Sequence, residues 1–330
     1  MRIVHVYHEG PFSSPSGMGL SHSFARVLAN LDGPSTAPSI RLVHYASLTE
    51  LEAALGDIEI LVPTAPVRGV SFSHASKLRL IHSLGAGMDE ILPAPDLPEH
   101  VLLAGARGIF AAEVAEHTIA LLLSMARAMP THWKRQSERR WSRHASCALE
   151  GKRLGILGTG EIGCRVARIG AAMGMRLSGL RRTTSGSMAP FERLFDPTSL
   201  QAFLAELDYL VVAVPLTPAT HTLVGERELA SLPQGACVIH ISRGGVVDEA
   251  ALVQALESGH LGGAALDVFT TEPLPSESPL WDIPNLLVTP HVAGFGVGYA
   301  DRALARVVRN VAALDAGYPL EGLVNKAAGY

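Results

Sequence analysis

The sequence has little of what secreted, zinc-binding or membrane proteins depend on. Only 3 of its 330 residues are cysteines and none forms a CxxC pair, which argues against a disulfide framework or a thiolate metal site. No apolar run is long enough to span a bilayer, and the amino terminus lacks the apolar core of a signal peptide. We therefore expect a cytoplasmic protein without a membrane partner.

An excess of positive charge is missing as well. Charged residues make up 18% of the chain and the formal net charge is −4, so the overall charge does not favour nucleic-acid binding. The 14 histidines show no metal-ligand spacing, and no GxSxG turn supports a serine nucleophile. Nucleic-acid binding, a bound metal and serine hydrolysis are therefore set aside.

What is present is an alternation of strand and helix patterns along both halves of the chain. A length of 330 residues exceeds what one hydrophobic core usually serves, so two domains are expected. Strands that alternate with helices at this spacing are typical of parallel sheets. The predicted fold class is α/β, with two Rossmann-like, doubly wound parallel-sheet domains and a cleft between them.

Three segments of this pattern carry specific expectations. The first strand, RIVHVY, is followed by a polar loop, EGPFSSPSGMG, and by a predicted helix, LSHSFARVLANL. The stretch from Ala111 to Met129 is apolar around most of a helix, which predicts burial between domains or in an oligomer interface. His117, within it, is expected to be structural rather than a ligand. The last helix, ADRALARVVRNVAALDAG, is expected to pack back onto the first domain.

A glycine turn in the second half points to a dinucleotide. Gly158-x-Gly160-x-x-Gly163 directly follows the strand RLGILG and directly precedes a helix. The three glycines permit a tight turn, close approach of a pyrophosphate and close packing of helix on strand, while the helix amino terminus offers free N–H groups to the anion. A tight turn with no ligand is the alternative. The predicted cofactor contacts here are Gly158, Thr159, Gly160, Glu161, Ile162 and Gly163.

The next strand ends in cations where an NAD site has an acid. It closes with Leu180-Arg181-Arg182-Thr183, so no carboxylate is available for the adenosine ribose. An arginine at this position can instead bind a 2′-phosphate through charge-assisted hydrogen bonds. We predict that Arg181, Arg182 and Thr183 bind NADP(H) as the preferred cofactor, with NAD(H) as an alternative. A solvated basic surface turn is the competing interpretation.

Polar groups follow three later strands. Arg243 lies in HISRGGVVDE, Asp267 and Glu272 lie in ALDVFTTEPLP, and His291 lies in LLVTPHVAG, each at the carboxyl end of one of the predicted strands CVIHIS, GAALDVF and LLVTPH. Reduction of a 2-oxo acid requires a cation for the carboxylate and a proton donor for the developing alkoxide. Arginine suits the first task, and a histidine beside a carboxylate suits the second. Taken singly, each residue also fits a turn cation, a surface acid or a capped strand end.

Together these stretches resemble the D-isomer-specific 2-hydroxyacid dehydrogenases, most specifically from about Val114 to Gly294. The resemblance implies a catalytic set of Arg243, Glu272 and His291, with Asp267 holding the nicotinamide amide. It implies further cofactor contacts at Val214, Pro215, Thr220, Ile241, Ser242, Arg243 and His291. The sequences that carry it, besides the glycine turn, are VPLTPATHTLV, SRGGVVDEAALVQAL, GAALDVFTTEPLP and PNLLVTPHVAG.

For the first domain the resemblance rests mainly on LRLIHSLGAGMDEI. It implies a loop that binds the substrate through Leu84, Gly85, Ala86 and Gly87, together with Arg243 and His291. It also implies a substrate domain of residues 1–103 plus 295–330, a dinucleotide domain of residues 104–294, and a homodimer built around the Ala111–Met129 helix. Substrate choice is expected near VPTAPVRG and the loop around Met88.

The chain departs from the family pattern at two places. His240 stands where the family usually has asparagine, which affects a local hydrogen-bond pattern. FGVGYAD replaces the usual Thr or Ser start of the last helix, and this glycine-rich stretch either loosens a hinge or shapes the pocket with Phe295 and Tyr299.

The two arginines at the end of the second strand of the dinucleotide domain favour one group of enzymes within the family. An NADP-type strand end is similar to that of glyoxylate and hydroxypyruvate reductases, which act on small 2-oxo acids. A phosphoglycerate dehydrogenase is less expected, because that group usually uses NAD and because Tyr330 leaves no room for a regulatory domain. The alternative of another class is a dinucleotide-sensing binding protein, such as a corepressor of the same fold, which would bind the cofactor without turnover.

Overall fold

The computed structural model describes residues 2–7, 27, 40–88, 91–92, 94–182 and 188–329. The chain forms two compact units: unit 1 comprises Met1–Phe110 with Val297–Tyr330, and unit 2 comprises Ala111–Gly296. The sequence placed these boundaries after residue 103 rather than 110, and after residue 294 rather than 296. The predicted loop EGPFSSPSGMG, the helix LSHSFARVLANL apart from Val27, and Thr183 lie outside the described residues.

Unit 1 contains a five-stranded sheet in which every pairing is parallel. The strand order is β2-β1-β3-β4-β5, so the order reverses direction beside β1. The strands are β1 (Arg2–Tyr7), β2 (Ile40–Tyr45), β3 (Ile60–Pro63), β4 (Leu80–His82) and β5 (Leu102–Ala104). The described helices are α1 (Leu48–Ala54), with a 3-10 turn at Leu55–Asp57, and α8 (Tyr299–Ala316).

The core of unit 1 follows from these patterns. Strands β3 and β4 are buried at every position, as expected where a parallel sheet is covered on both faces. Helix α1 begins at Ser47, whose hydroxyl accepts from Glu50 N–H at 3.2 Å and so caps the helix. In α8, the buried residues recur at helical spacing, and Arg306 donates to Gly105 O at 3.4 Å. The last helix therefore belongs to unit 1.

Unit 2 contains a seven-stranded sheet, again with only parallel pairings. The strand order is β12-β11-β10-β9-β6-β7-β8, which reverses direction between β6 and β9. This is the strand order of a Rossmann sheet with a seventh strand added, and ligands bind such sheets outside the carboxyl ends of the strands at the reversal.

The elements of unit 2 follow the predicted alternation. The strands are β6 (Arg153–Leu157), β7 (Arg176–Leu180), β8 (Arg193–Phe195), β9 (Tyr209–Val212), β10 (Cys237–His240), β11 (Gly263–Leu266) and β12 (Leu286–Val288). The helices are α2 (Ala111–Ala126), α3 (Met129–Ser137), α4 (Glu161–Ala172), α5 (Leu200–Leu204), α6 (Glu226–Ser231) and α7 (Glu249–Glu257). Short 3-10 turns occur at Pro197–Ser199 and Pro279–Asp282.

Helix α2 ends earlier than its apolar pattern predicted. Ala128 adopts a left-handed conformation (φ 50°), which separates α2 from a second helix, α3, that the sequence did not predict. Ala115, Ile119 and Leu122 of α2 pack in the hydrophobic core of unit 2. Much of the apolar surface of this helix is therefore covered within unit 2 itself.

Candidate active site

The glycine turn connects β6 to α4, and each glycine is needed for a different reason. Gly158 has φ +102°, and a Cβ atom there would lie 2.7 Å from Ala213 O. A Cβ on Gly163 would collide with Gly158 O, so this glycine lets the helix lie against the turn. Around Gly160 a Cβ would meet no described atom within 4 Å, which leaves open space beside the backbone. The turn therefore combines close packing on one side with an open side.

That open side fits the pyrophosphate of a dinucleotide. Helix α4 begins at Glu161 and Ile162, and the N–H groups of a first helical turn have no partner inside the helix. The Thr159 hydroxyl is buried and has no hydrogen-bond partner in the part of the chain that the structure describes. A buried hydroxyl of this kind is one that a bound ligand can satisfy. The residues present thus suit the group that the glycine pattern predicts.

The arginine pair lies next to this turn. Gly158 N–H donates to Leu180 O at 3.0 Å, which joins the turn to the end of β7. Arg181 follows directly, is partly buried, and donates its backbone N–H to Phe195 O at 3.0 Å. Arg182 is exposed. Two guanidinium groups therefore stand at the strand end where the adenosine ribose of a dinucleotide binds in this fold.

The remaining predicted cofactor contacts follow β9 and β10. Val214 lies against the turn, with its Cγ1 2.9 Å from where a Cβ on Gly158 would stand. The Thr220 hydroxyl donates to Pro215 O at 2.6 Å and accepts from Thr217 N–H at 2.8 Å, which fixes this loop. Ile241 and Ser242 come directly after β10, and both are buried.

His291 and Glu272 form a close pair. His291 Nδ1 lies 2.7 Å from Glu272 Oε2, and the side chains are 43% and 34% exposed. The other carboxylate oxygen of Glu272 accepts from Phe269 N–H at 2.8 Å, which fixes the carboxylate. Because Nδ1 is held by Glu272, Nε2 is the nitrogen of His291 that remains to exchange a proton with a substrate.

Asp267 holds the loop that carries His291. The backbone of His291 has φ +52°, in the left-handed region that residues other than glycine rarely adopt. Its N–H donates to Asp267 O at 2.8 Å, while Val292 N–H and Ala293 N–H each donate to the Asp267 carboxylate at 3.0 Å. Asp267 is 1% exposed. These bonds determine the direction in which His291 leaves the backbone.

A relay from α2 completes the surroundings of Asp267. Thr289 Oγ1 donates to Asp267 at 2.6 Å, and because that hydroxyl has one proton it must accept from His117 Nε2, which lies 3.1 Å away. Burial raises the pKa of Asp267, but hydrogen bonds from His117, Thr289 and the N–H groups of Ala293 and Val292 outweigh it and lower the pKa. His117 thus contacts the Asp267 loop through Thr289.

Arg243 follows β10 on a turn that His240 supports. Arg243 Nη1 donates to Ser242 O at 2.8 Å, and His240 Nε2 lies 3.0 Å from Ser242 Oγ. Burial lowers the pKa of His240 to about 3, so its imidazole is neutral near neutral pH. The residue that departs from the family pattern is therefore a buried neutral side chain that anchors the Arg243 turn.

The predicted catalytic residues are brought to one edge of the unit 2 sheet. Strand β11 pairs with β10 on one side and β12 on the other, in parallel, so the segments after these three strands leave the sheet at the same edge. Arg243, Glu272 and His291 lie on those segments. A fixed cation and a carboxylate-supported imidazole are the groups that carbonyl reduction requires.

The Leu84–Gly87 loop of unit 1 follows β4 and presents backbone N–H groups. His82 Nδ1 donates to Ser83 O at 2.9 Å, and burial lowers the pKa of His82 to about 4. The C=O and N–H of a trans peptide point in opposite directions, so Leu84 N–H points away from the His82 ring. No acceptor lies on the N–H of Leu84, Ala86 or Gly87 among the residues that the structure describes.

The next peptide of the loop is fixed in the same way. Ala106 N–H donates to Gly85 O at 2.8 Å, so Ala86 N–H points away from Ala106. Gly85 N–H, in contrast, donates to Ser83 Oγ at 3.0 Å and is occupied. The loop can therefore offer the N–H groups of Leu84, Ala86 and Gly87 to an anion. The sequence predicted the same for Gly85, but its N–H is already bonded to Ser83 Oγ.

The segments expected to choose the substrate are only partly accessible. Met88 is 3% exposed and Val67 is 3% exposed, and both pack in the core of unit 1. Pro66 and Arg68 are exposed and line a cavity of about 410 Å³ at the ends of the first three strands. Arg68 is the cation among the residues that line this cavity.

Several contacts of these sites could not have been read from local sequence. Tyr299 donates its hydroxyl to Leu84 O at 3.1 Å, although the two residues are 215 positions apart. His117 and Thr289 are 172 positions apart. The local sequence indicates only that polar residues flank the motifs, as His82 and Ser83 do directly before the Leu84–Gly87 loop, without showing which distant residues they contact.

Neither a metal cluster nor a membrane-spanning helix occurs among the described residues. The described residues contain no group of three or more His, Cys, Asp or Glu side chains that could hold a metal ion. In the same residues, the helices are too short or too polar to cross a membrane.

The chain is similar to known proteins in sequence and in structure. Residues 119–293 match the family model described as D-isomer specific 2-hydroxyacid dehydrogenase, NAD binding domain. The chain is 33% identical over 301 residues to glyoxylate/hydroxypyruvate reductase B of Pectobacterium carotovorum, covering 86% of this chain and 93% of that protein. It is similar in structure to the NADPH-dependent glyoxylate/hydroxypyruvate reductase of Sinorhizobium meliloti in complex with NADP and sulfate, with a TM-score of 0.81, 29% identity, and coverage of 100% and 99%.

A longer relative is matched over part of its length. The D-3-phosphoglycerate dehydrogenase of Mycobacterium tuberculosis is 31% identical over 313 residues, which is 92% of this chain. The match spans 59% of the length of that relative.

Proposed function

Because the chain belongs to the D-isomer-specific 2-hydroxyacid dehydrogenase family, we propose that it transfers a hydride between NADP(H) and a small 2-oxo or 2-hydroxy acid. The proposed physiological direction is reduction, with glyoxylate or hydroxypyruvate as the substrate type. The observation that carries this proposal is the 2.7 Å pair of His291 and Glu272 at the same sheet edge as Arg243.

Each residue of the set has a chemical task in this proposal. Arg243 binds the substrate carboxylate and polarises the carbonyl, since a guanidinium presents several N–H donors in a planar fork that matches a carboxylate. His291 donates a proton from Nε2 to the developing alkoxide, while Glu272 holds Nδ1 and stabilises the imidazolium. The Leu84–Gly87 loop supplies N–H groups to the substrate carboxylate. The nicotinamide, when bound, supplies the hydride.

The cofactor choice is argued from the end of β7. Arg181 and Arg182 adjoin the glycine turn through the bond between Gly158 and Leu180, and neither position offers a carboxylate to repel a 2′-phosphate. The similar Sinorhizobium meliloti reductase is described as NADPH-dependent. The Asp267 carboxylate accepts three hydrogen bonds from residues 289–293. We propose that it positions His291 in addition to the contact with the nicotinamide amide that the family resemblance implies.

We propose a homodimer as the working state. Trp141 is 97% exposed, Trp133 is 47% exposed and Leu123 is 37% exposed, all on or after α2. We propose that these exposed apolar side chains belong to the surface that the second chain covers. Light scattering should give twice the mass of one chain, and Trp141→Ser should shift the mass toward one chain.

The decisive experiment is a steady-state assay with both cofactors. NADPH oxidation should be measured with glyoxylate, hydroxypyruvate and larger 2-oxo acids, and NADH should be compared at the same substrate concentration. We expect a kcat/KM for NADPH about 10²-fold above that for NADH, since two charge-assisted hydrogen bonds contribute about 1.5–3 kcal/mol each. Equal values, or a higher value for NADH, would contradict the cofactor proposal.

The same assay separates the enzyme from a binding protein. A dinucleotide-sensing protein would quench NADPH fluorescence on binding yet show negligible turnover with every 2-oxo acid. Oxidation of 3-phosphoglycerate with NAD at a higher rate than any NADPH-dependent reduction would instead indicate the activity named in the longer relatives.

A further inference from the structure

We propose that Tyr299 is a positioning residue for the substrate carboxylate. Its hydroxyl holds the Leu84–Gly85 peptide, which we call the middle peptide because it lies between the Ser83–Leu84 and Gly85–Ala86 peptides. The orientation of this peptide sets the angle between the neighbouring N–H groups that bind the carboxylate. This inference rests on the proposed function, and it goes beyond it by assigning a role to a residue that does not touch the substrate.

Both polar groups of the middle peptide, its C=O and its N–H, are hydrogen-bonded. Tyr299 Oη donates to Leu84 O at 3.1 Å, and on the opposite edge of the same planar peptide Gly85 N–H donates to Ser83 Oγ at 3.0 Å. Leu84 N–H belongs to the peptide before it and Ala86 N–H to the peptide after it. Because both neighbours share atoms with the middle peptide, its rotation would turn these two N–H groups relative to each other.

The phenol is itself held in place. The Tyr299 ring stacks on Phe110, with ring centroids 4.2 Å apart and an interplanar angle of 15°. Phe110 is 6% exposed, and Arg302 lies 5.7 Å from its ring centroid on the same helix as Tyr299. The hydroxyl therefore reaches Leu84 from a ring with a fixed orientation, at the first residue of α8.

The position also explains the unusual start of the last helix. Gly298 precedes α8 in a left-handed conformation (φ +76°), which glycine adopts without strain. The helix then begins at the next residue, Tyr299. The sequence left two roles open for this stretch, a loosened hinge or a shaped pocket. The bond to Leu84 favours the second role, through the shape of the carboxylate-binding loop.

Tyr299→Phe tests the role because it keeps the ring stack and removes only the hydroxyl. We expect the KM for glyoxylate to rise about threefold to tenfold, the range for loss of one neutral hydrogen bond, with kcat and the Kd of NADPH unchanged. Tyr318→Phe is the matched control, since Tyr318 is 71% exposed and should leave every value unchanged. A change in kcat or in the Kd of NADPH equal to that in KM would contradict a role in carboxylate positioning.

A binding measurement distinguishes this inference from the proposed function. Oxalate carries the same carboxylate and cannot accept a hydride, so its Kd in the presence of NADP can be measured by calorimetry without turnover. Tyr299→Phe should weaken oxalate binding by the same factor as the KM, even if the wild type reduces none of the 2-oxo acids tested. Equal oxalate affinity in the wild type and Tyr299→Phe would overturn the inference, whatever the catalytic activity.

Discussion

Acidification from pH 7 to pH 5 should destabilise unit 2 by about 2 kcal/mol through His240 alone. Burial lowers the pKa of His240 from 6.5 in the unfolded chain to about 3 in the folded one. Above pH 6.5 the imidazole is neutral in both states, so its contribution to stability is fully present. Below that pH the unfolded chain takes up a proton that the folded chain does not, and stability is lost at about 1.4 kcal/mol per pH unit until the pH approaches 3.

The measurement compares wild type with His240→Asn, which places at this position the residue usual in the family. Urea unfolding at pH 7 and pH 5 can be followed by fluorescence, because Trp133, Trp141 and Trp281 all lie in unit 2. We expect the loss of unfolding free energy between the two pH values to be about 2 kcal/mol smaller in the variant. His144→Asn, at an exposed position, is the control and should match the wild type. Equal pH dependence in wild type and His240→Asn would refute the neutral buried imidazole.

Three further predictions concern the site. Replacing both Arg181 and Arg182 with Asp should lower the ratio of kcat/KM for NADPH to that for NADH by about 10²-fold or more, measured by initial rates; an unchanged ratio would place the 2′-phosphate elsewhere. His291→Ala should lower kcat by about 10²- to 10⁴-fold while NADPH binding, followed by fluorescence, is kept; near-normal turnover would exclude His291 as the proton donor. Thr289→Val removes the hydroxyl between His117 and the Asp267 carboxylate and should lower stability by about 1–3 kcal/mol in urea titrations, and a stability equal to wild type would show that this relay has no net effect.

Most strands of the unit 2 sheet were predicted because their signals lie in short segments of the sequence. Each long strand is a run of apolar residues followed by a polar turn, so the turn motif marks where the strand ends. The exception in this sheet is β8, an edge strand of three residues that was not predicted, and β5 at an edge of the unit 1 sheet is a second case. Strand β12 is equally short and lies at an edge, but it was predicted because a recognisable motif follows it. No such motif follows β5 or β8.

In the candidate site, too, the locally marked residues were predicted and the long-range contacts were not. Arg243, Glu272 and His291 could be predicted because each follows a recognisable strand, and parallel strands bring the following segments to one edge. The contacts that hold them could not. The relay from His117 to Thr289 joins residues 172 positions apart. The left-handed conformation of Ala128 ends α2 within the apolar pattern, and the local signal of this break, Pro130 in the first turn of α3, lies just beyond that pattern.

Both departures from the family pattern act on loops rather than on a substrate. His240 contacts Ser242, whose carbonyl accepts from Arg243, and Tyr299 contacts Leu84. In the proposed function the substrate is a 2-oxo acid, and all 2-oxo acids share a carboxylate and a carbonyl. Discrimination among them then requires side chains that face the variable end of the substrate. Met88 and Val67 are buried in the core of unit 1, so among the described residues we expect substitution of the exposed positions after β3 to change the choice of substrate without changing the reaction.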